Sequence, residues 1–406
     1  MNKSKKWDWD YVIIPIVILM VCWVVAAFTG LWPWKDNPYN SYTLQACSWL
    51  QGRLDLGKNY EWLELAIYQD KYYVSFPPFP SYVLLPFALL MGEHTPDHWI
   101  AWIVMVAGAI YAVKLYKTLG GEKEHVEFFV LFLYLASGLL FVTMNGYVWF
   151  IAQNMCFTLS LMSLYYAVRG RGGFSLAFWA CAVGCRPMVI LYLPLLIYIL
   201  WKGWKQQNPK GTLLQMVSQK WNWCIATGII ALSYMILNYC RFGNITEFGH
   251  NYLPEFTRTK TGQFHLSYLA ENLRHLVRLP VKGEDGGALT FFTSDGMAFW
   301  LMIPLFITVI VAWGYALMYK RKEQLPALIM VPVLAILHVL FICCHKTLGG
   351  WQFGDRYLLD LLPYMFYALM LWKPQTEWFV KWNRPLFYLG IAINLIGMTA
   401  TYNYWI

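Results

Sequence analysis

Acidic side chains follow the first long apolar stretch of the chain, where a carboxylate could act as a general base. The segment 32–80 holds several acids, and we favour two of them as catalytic residues, Asp36 and Glu64. Asp36 comes just after the apolar stretch, and Glu64 has apolar neighbours in sequence. A carboxylate at the rim of an apolar cavity is desolvated, which raises its pKa toward the range that a general base needs. The alternative for each acid is a solvated loop residue.

Cationic side chains at the edges of other apolar stretches suit the binding of a phosphate. The candidates are Arg186, Arg241, His250, Arg258, Lys346 and Arg356. Positive groups stabilise the charge that develops on a leaving phosphate. Arg186 is the one charged residue within 174–201, and such an arginine is costly in a membrane unless it is paired or lines a wet cavity. It is therefore either a site residue or a structural arginine that holds a turn.

Aromatic residues accompany these charges and suit the apolar side of a sugar ring. The candidates for substrate binding are Tyr39, Tyr42, Tyr73, Tyr252 and Trp351. Acids, cations and aromatic rings together predict a reaction between a phosphate-bearing lipid at the bilayer surface and a second, polar substrate. Motifs for nucleotide hydrolysis, zinc proteolysis and serine hydrolase chemistry do not occur in the context that they need.

The composition places these residues in a membrane protein. Hydrophobic residues make up 59% of the chain and charged residues 13%, whereas a soluble domain has roughly 25% charged residues. The 18% of aromatic residues suits rings at the boundary between lipid and water. The net charge of +9 is spread over short loops, which favours orientation in the bilayer over nucleic-acid binding. The cysteines lie almost entirely in apolar runs and form no CxxC pair, so they predict no metal or redox site.

About eleven apolar stretches predict an all-α, polytopic transmembrane helical bundle that forms one domain over residues 1–406. The stretch 11–31 is uncharged and long enough to cross about 30 Å of hydrocarbon. No cleavage site of small residues follows it, so we expect an uncleaved first helix. The other stretches are 98–116, 126–145, 147–168, 174–184, 188–201, 222–240, 296–318, 325–343, 357–372 and 385–404.

The short, proline-interrupted stretch 81–92 decides which way the later loops face. If it crosses, four basic clusters face outward, against the positive-inside rule. These clusters are Lys114/Lys117/Lys123, Arg169/Arg171, Lys202/Lys205/Lys210 and Lys320/Arg321/Lys322. We therefore predict that 81–92 is re-entrant or interfacial, and that 174–201 forms two short helices turning at 184–187. The large polar segments 32–80 and 241–295, the first and second loops, then face the outside of the inner (plasma) membrane, where we expect the site.

The first loop is expected to lie along the membrane surface. Its segment 41–52 has apolar residues at helical spacing and ends on a glycine, and 60–68 is also amphipathic, so both predict interfacial helices. Residues 72–78 read as a strand rich in aromatic residues and proline. Together these elements would roof a cavity at the bilayer surface.

Several segments, taken in order, resemble the GT-C superfamily, the polytopic glycosyltransferases that use polyprenyl-phosphate sugars. One span leads directly into a large loop that holds Asp36, Tyr39, Tyr42 and LQGRL at 50–54, and KYYVSFPPFPSYVLLPF follows at 71–87. Arg186-Pro187 then opens an apolar helix. The later segments are NYCRFGN at 238–244, EFGHNYLPEF at 247–256 and FGDRYLLDLLPY at 353–364. The resemblance runs from about residue 30 to 365.

This resemblance implies transfer of a sugar from a polyprenyl-phosphate donor to a lipid, glycan or protein acceptor of the cell envelope, by inversion in a single displacement. An acid of the first loop is the implied base, which by position is Asp36, with Glu64 as the substitute. Asp36 is followed by Asn37 and not by a second acid, so we expect a metal-independent enzyme without a cofactor. We expect no large C-terminal domain of the kind that some relatives carry, so the loops are expected to recognise the acceptor. The alternatives are a transporter or flippase of a lipid-linked saccharide and an O-antigen-ligase-like envelope transferase.

Overall fold

The computed structural model is an all-α bundle, as predicted, and it describes residues 8–282, 289–319, 325–374 and 377–405. Its α-helices are α1 (Asp10–Thr29), α2 (Ser41–Leu50), α3 (Phe79–Met91), α4 (Asp97–Thr118), α5 (Val126–Leu135), α6 (Leu139–Thr143), α7 (Val148–Val168), α8 (Gly172–Val183), α9 (Leu193–Gln207), α10 (Leu213–Gln219), α11 (Cys224–Phe242), α12 (Pro254–Thr257), α13 (Leu269–Val277), α14 (Phe299–Met302), α15 (Leu305–Tyr319), α16 (Leu325–Cys343), α17 (Leu362–Trp372) and α18 (Glu377–Tyr402). Two antiparallel hairpins pair β1 (Leu65–Tyr68) with β2 (Lys71–Val74) and β3 (Val281–Lys282) with β4 (Leu289–Thr290). The predicted basic cluster Lys320/Arg321/Lys322 and the residues before Asp8 lie outside the described part of the chain.

Helices of spanning length confirm a multi-pass membrane protein. Within the described residues, 7 helical segments are long and apolar enough to cross a membrane. They are Asp10–Thr29, Asp97–Thr118, Val148–Val168, Pro187–Gln207, Trp221–Phe242, Leu325–Cys343 and Glu377–Tyr402. The other predicted stretches are shorter or divided: 126–145 becomes α5 and α6, and 296–318 becomes α14 and α15. The structure therefore supports a multi-pass arrangement within the described residues, and the number of about eleven spans stays a prediction.

Helix α7 lies at the centre of the bundle and packs against α4, α8 and α17. The side-chain amide of Asn154 on α7 donates to the carbonyl oxygen of Ala101 on α4 at 2.7 Å. Gly108 of α4 allows the two helices to approach, because a Cβ there would lie 2.5 Å from the hydroxyl oxygen of Thr158. Small residues and amide-to-carbonyl bonds are the contacts that hold helices together in a membrane. These contacts fix the position of α7 in the bundle, and the first and second loops pack near its start.

The first loop lies at one end of the bundle. Asp97, at the start of α4, accepts hydrogen bonds from Thr43 at 2.7 Å and from Asn37 at 2.8 Å. Lys117, near the other end of α4, pairs with two aspartates at the start of α1. The first loop and the basic residues near Lys117 are therefore separated by the length of α4. Which of these two ends faces outward stays a prediction.

The first loop contains one of the two predicted interfacial helices. Helix α2 confirms the helix expected at 41–52, but the helix expected at 60–68 is wrong, because 65–68 is the strand β1. Gln69 and Asp70 both have positive φ, 49° and 58°, and connect β1 to β2. A two-residue connection with positive φ matches the twist of paired strands. The strand expected at 72–78 is present only as far as Val74.

Two short elements agree with the predicted breaks in the membrane region. Helix α3 has 13 residues, a length of about 20 Å, which is less than the hydrocarbon core of a bilayer. It therefore fits the prediction that 81–92 does not cross. Helix α8 ends at Val183, and a 3-10 turn (Pro187–Tyr192) leads into α9, so the break predicted at 184–187 is present. Of the two short helices predicted there only α8 is short, because Pro187–Gln207 is long enough to span a membrane.

The second loop is fastened to the segment that follows α16. Phe264 forms an isolated β-bridge with His345, and the backbone N–H of Lys346 donates to the carbonyl oxygen of Gln263 at 2.9 Å. Asn272 of α13 donates to the carbonyl oxygen of His345 at 2.7 Å. These bonds hold the segment after α16 against the second loop, beside the first.

Candidate active site

A cavity of about 500 Å³ lies under the first and second loops. Its wall is built by the first loop, the start of α7, the turn at Arg186, the second loop and the segment after α16. The acids, arginines and histidines that line it are Glu64, Arg186, His250, Glu255, His345 and Arg356. Residues far apart in sequence thus bring both signs of charge to one enclosed space.

Arg186 is held in the cavity wall by an ion pair with Asp360. Its Nε lies 2.9 Å from Oδ2 of Asp360, whose side chain is buried. Asp360 belongs to a 3-10 turn (Arg356–Leu361) that leads into α17. The ion pair therefore joins two places where a helix is interrupted. A charge below the surface is stable only with such a partner, which explains why the lone arginine of 174–201 is tolerated.

Arg356 begins the same 3-10 turn but forms no ion pair within the described residues. It is buried, and its Nε has no hydrogen-bond partner there. Its guanidinium carbon lies 5.5 Å from the ring centre of Phe150 and 5.2 Å from that of Tyr357. Arg186 lies 4.6 Å from the same Tyr357 ring. Two arginines thus flank one ring, and of the two only Arg186 forms an ion pair in the described part of the chain, so the guanidinium of Arg356 is available to bind an anion.

Glu64 reaches the cavity from the first loop, directly before β1. Its Oε2 accepts a hydrogen bond from Nε1 of Trp149 at 2.8 Å. Desolvation by the surrounding protein raises the pKa of Glu64, against the opposing effects of this hydrogen bond and of the Arg356 charge. The carboxylate remains open to the cavity, so it can meet a substrate hydroxyl. A raised pKa and an open position are what a general base requires.

Glu255 brings a second carboxylate to the cavity from α12. Desolvation raises the pKa of Glu255, and the charge of Lys346 opposes this effect. Nζ of Lys346 donates to the backbone oxygen of Glu255 at 2.8 Å, so the lysine lies behind the wall. In the described part of the chain, no three His, Cys, Asp or Glu side chains come together as a metal-binding group.

Two histidines of the wall are neutral near pH 7. Nδ1 of His250 lies 3.1 Å from the carbonyl oxygen of Ser75, and Nδ1 of His345 lies 2.6 Å from that of Thr347. Burial lowers the pKa of His250 to about 3 and that of His345 to about 4. Because Nδ1 of His250 must donate to the carbonyl oxygen of Ser75, its Nε2 carries the lone pair, whereas Nδ1 of His345 lies near both the carbonyl oxygen and the N–H of Thr347. His250 therefore offers a hydrogen-bond acceptor and not the positive charge expected of a phosphate-binding residue.

The predicted site residues divide into those that line the cavity and those that do not. The first group is Tyr42, Glu64, Arg186, His250, Trp351 and Arg356. Asp36 is outside the cavity: its side chain is exposed, and its backbone lies beside His98 of α4. Arg258 is exposed at the end of α12 and does not line the cavity either.

The other predicted residues pack behind the wall; they are Tyr39, Tyr73, Arg241, Tyr252 and Lys346. Arg241 is buried and donates to the carbonyl oxygen of Val74 at 3.3 Å, which fastens β2 to α11. The ring of Tyr39 packs on Trp149 at 5.1 Å between centres. These residues therefore shape the site without facing it.

Three polar or aromatic residues of the site illustrate what was not predicted from the sequence. They are Trp149, Glu255 and His345. Asp360 was also missed as the partner of Arg186, although it is the one acid in the apolar stretch 357–372. A single acid in one apolar stretch and a single arginine in another is a sequence signal for an ion pair inside a membrane protein. Trp149 and Glu255 carry no comparable signal.

This arrangement of helices is similar to that of two solved structures, ArnT and an archaeal oligosaccharyltransferase. ArnT from Cupriavidus metallidurans, solved with undecaprenyl phosphate, matches with a TM-score of 0.52 and 13% identity over 96% of this chain and 75% of ArnT. The oligosaccharyltransferase of Archaeoglobus fulgidus, in its apo form, matches with a TM-score of 0.50 and 12% identity over 98% of this chain. No protein-family model matches the sequence, and no curated protein matches it at a significant level.

These likenesses establish the fold. The chain has the fold of the GT-C membrane glycosyltransferases, as the sequence segments predicted. It spans 57% of the length of the archaeal oligosaccharyltransferase. A likeness of this extent shows the fold and not the activity or the substrates.

Proposed function

We propose that the protein is a glycosyltransferase that moves a sugar from a polyprenyl-phosphate donor to an acceptor of the cell envelope. The observation that carries the proposal is that Arg356, which forms no ion pair in the described structure, and Glu64, a carboxylate of raised pKa, face one cavity of a GT-C fold. A phosphate site and a general base are the groups that sugar transfer to a hydroxyl needs. We place the cavity on the outer side of the plasma membrane, with a lipid, glycan or protein as the acceptor.

The proposed reaction is a single displacement at the anomeric carbon of the sugar. The acceptor hydroxyl attacks that carbon, and Glu64 takes the hydroxyl proton. The bond between the anomeric carbon and the phosphate oxygen breaks, and its electron pair stays on the lipid phosphate. Arg356 and Arg186 stabilise the negative charge that grows there. Since the arginines supply this positive charge, the proposed reaction uses no metal ion or cofactor.

An apolar groove next to the cavity suits the polyprenyl chain of the donor. It measures about 550 Å³, is lined by apolar side chains, and lies between α13, α15, α16 and α17. Leu358 lines the groove and directly follows Tyr357, which lines the cavity between the arginines. A phosphate at Arg356 could therefore have its lipid chain in the groove. The undecaprenyl phosphate bound to ArnT, a protein of the same fold, supports this class of donor.

The test uses the purified protein in lipid nanodiscs. It is supplied with labelled polyprenyl-phosphate sugars and an extract of envelope lipids and glycans. We expect label to move to an acceptor, polyprenyl phosphate to form in equal amount, and a chelator to leave the rate unchanged. Movement of an intact lipid-linked saccharide across the bilayer of proteoliposomes, without release of its phosphate, would instead identify a flippase.

The pH dependence of transfer is expected to follow Glu64. A general base acts only when it is deprotonated, so kcat/KM should fall as the pH decreases through the pKa of Glu64, which lies above the 4.5 of a free side chain. His250 and His345 titrate at about 3 and about 4, below this limb. A pH profile of kcat/KM measures the limb. A limb that persists in the residual activity of a Glu64→Gln variant would assign it to another group.

Gly349 and Gly350 offer a matched test of the arginine site. A Cβ on Gly349, whose φ is +98°, would lie 2.7 Å from Nη2 of Arg356, whereas a Cβ on Gly350 meets nothing within 4 Å. Gly349→Ala should displace the Arg356 guanidinium and, because of the positive φ, destabilise the fold by about 1–2 kcal/mol. We expect a higher KM for the donor and a lower melting temperature in this variant. Gly350→Ala adds a methyl group to the cavity lining without touching Arg356, so it should leave the melting temperature unchanged, and an equal loss of stability in the two variants would contradict this geometry.

A further inference from the structure

Gln153 of α7 lies between the two arginines of the cavity. Its side chain is fully buried, so it is out of reach of a substrate. Nε2 of Gln153 donates to the backbone oxygen of Arg356 at 2.6 Å and to Oδ1 of Asp360 at 3.0 Å. The other carboxylate oxygen of Asp360 accepts from Arg186. One carboxamide thus contacts the backbone of one arginine and the counter-ion of the other.

The groups around the Gln153 side chain determine which end of its amide faces Arg356 and Asp360. Both neighbours, a carbonyl oxygen and a carboxylate oxygen, are acceptors, so Nε2 and not Oε1 must face them. The two hydrogens of the NH2 group suffice for one bond to each acceptor. Glutamate would place a further acceptor against them, and leucine would donate to neither. An ionised glutamate or a leucine at this position would therefore lose both bonds.

These bonds act on the position of the arginines. The 3-10 turn Arg356–Leu361 carries Arg356, Tyr357 and Asp360. Hydrogen bonds within a 3-10 turn have poor geometry, so an external bond contributes much to its position. If the turn moves relative to α7, Arg356 moves with it. Arg186 is then displaced as well, because its counter-ion Asp360 belongs to the same turn. The distance between the two guanidinium groups therefore depends on Gln153.

We propose that Gln153 is a positioning residue, which sets the two arginines at the spacing that binds the donor phosphate. The proposal rests on the proposed function, since it takes the arginines as the phosphate site. It assigns to a residue without substrate contact a specific effect on donor affinity, separate from its effect on stability.

The test compares Gln153→Leu with Asn154→Leu. Asn154 is the next residue on α7, is equally buried, and donates its amide to Ala101 of α4, away from the arginines. Both variants remove one buried amide, so both should lower the melting temperature. Only Gln153→Leu is expected to raise the KM for the donor, by about tenfold, with little change in kcat. In Gln153→Glu the donor should bind more weakly still at neutral pH and regain affinity as the pH falls, because a protonated glutamate can donate to Asp360.

Binding of a polyprenyl phosphate to the purified protein separates this proposal from the proposed function. If the wild type binds the lipid and Gln153→Leu binds it more weakly, the positioning role stands even when no sugar is transferred, and only the proposed function fails. If Gln153→Leu binds as tightly as the wild type, the positioning role fails whatever the transfer assay shows. Equal loss of affinity in Gln153→Leu and Asn154→Leu would also overturn it, because general loosening of α7 would then explain both.

Discussion

Replacing Glu64 with glutamine is expected to lower kcat for sugar transfer by about 10²–10⁴-fold. Glutamine keeps the size of the side chain, and its carbonyl oxygen can still accept from Nε1 of Trp149. It cannot take a proton from the acceptor hydroxyl, so only the chemical step is affected. The KM for the donor should change little, because the arginines and not Glu64 hold the phosphate. Steady-state kinetics on detergent-purified protein separate the two parameters.

Two other acids serve as controls for Glu64. Asp36→Asn should retain the wild-type rate, because Asp36 is exposed outside the cavity. Glu255→Gln should have an effect between the two, since Glu255 lines the cavity and its charge raises the pKa of Glu64. Loss of transfer in Asp36→Asn together with a normal rate in Glu64→Gln would mean that the cavity described here is not where the base acts.

Replacing Asp360 with asparagine is expected to lower the free energy of unfolding by about 3–5 kcal/mol. The change leaves Arg186 below the surface without its counter-ion, and arginine does not escape the penalty by losing its proton. It also replaces the carboxylate oxygen to which Gln153 donates. Thermal unfolding in detergent, followed by intrinsic fluorescence, measures the loss as a lower melting temperature.

A double variant and a surface pair complete this test. Arg186→Met with Asp360→Leu removes both charges at once and should recover most of the stability, while transfer stays low because an arginine of the site is gone. Glu377→Gln breaks the exposed pair between Glu377 and Lys381 and should not change the melting temperature measurably. A double variant no more stable than Asp360→Asn would show that the ion pair is not the source of the loss.

The membrane architecture was predictable because apolar length is a direct physical requirement of the bilayer. The stretches 11–31, 98–116 and 325–343 were found as long helices, since each is long enough and predominantly apolar. The division of 126–145 was not predicted: Ser137 accepts the backbone N–H of Leu139 and bonds back to Leu133, which ends α5 in the middle of an apolar stretch. A hydropathy profile does not show that a serine side chain can replace the helical hydrogen bonds of nearby backbone groups.

The helix expected at 60–68 shows how short amphipathic segments mislead. Its apolar residues fit a helical face, but β1 is only four residues long and pairs with a segment that also favours strand. Two tyrosines and a valine follow the turn at Gln69 and Asp70, and such residues stabilise a pleated surface through cross-strand contacts. The pairing depends on a neighbour further along the chain, so periodicity within 60–68 alone does not reveal it.

Cavity residues could be predicted where a charge in an apolar stretch has a high free-energy cost. The prediction was misleading where it relied on a residue being close in sequence to a span. Arg186 was found because a lone arginine in an apolar stretch needs a reason, and the structure supplies one in Asp360. Asp36 was favoured because it follows the first span directly, yet the loop turns it away to the surface beside α4. Glu255 gave no signal, because its place in the cavity depends on the contacts that fasten the second loop to His345.

Helix α7 relates the proposed base to the proposed phosphate site. Trp149, which donates to Glu64, and Gln153, which donates to the Arg356–Leu361 turn, are one helical turn apart on the same face. The positions of Glu64 and of Arg356 therefore both depend on contacts with the same face of α7. Inserting one residue between Trp149 and Gln153 would rotate one contact by about 100° around the helix axis relative to the other. The proposed base and the proposed phosphate site would then no longer face the same part of the cavity. A change of length in the loop between α9 and α10 would leave the contacts of Trp149 and Gln153 unchanged. We therefore expect the site to tolerate a change of length in that loop but not within the helical turn from Trp149 to Gln153.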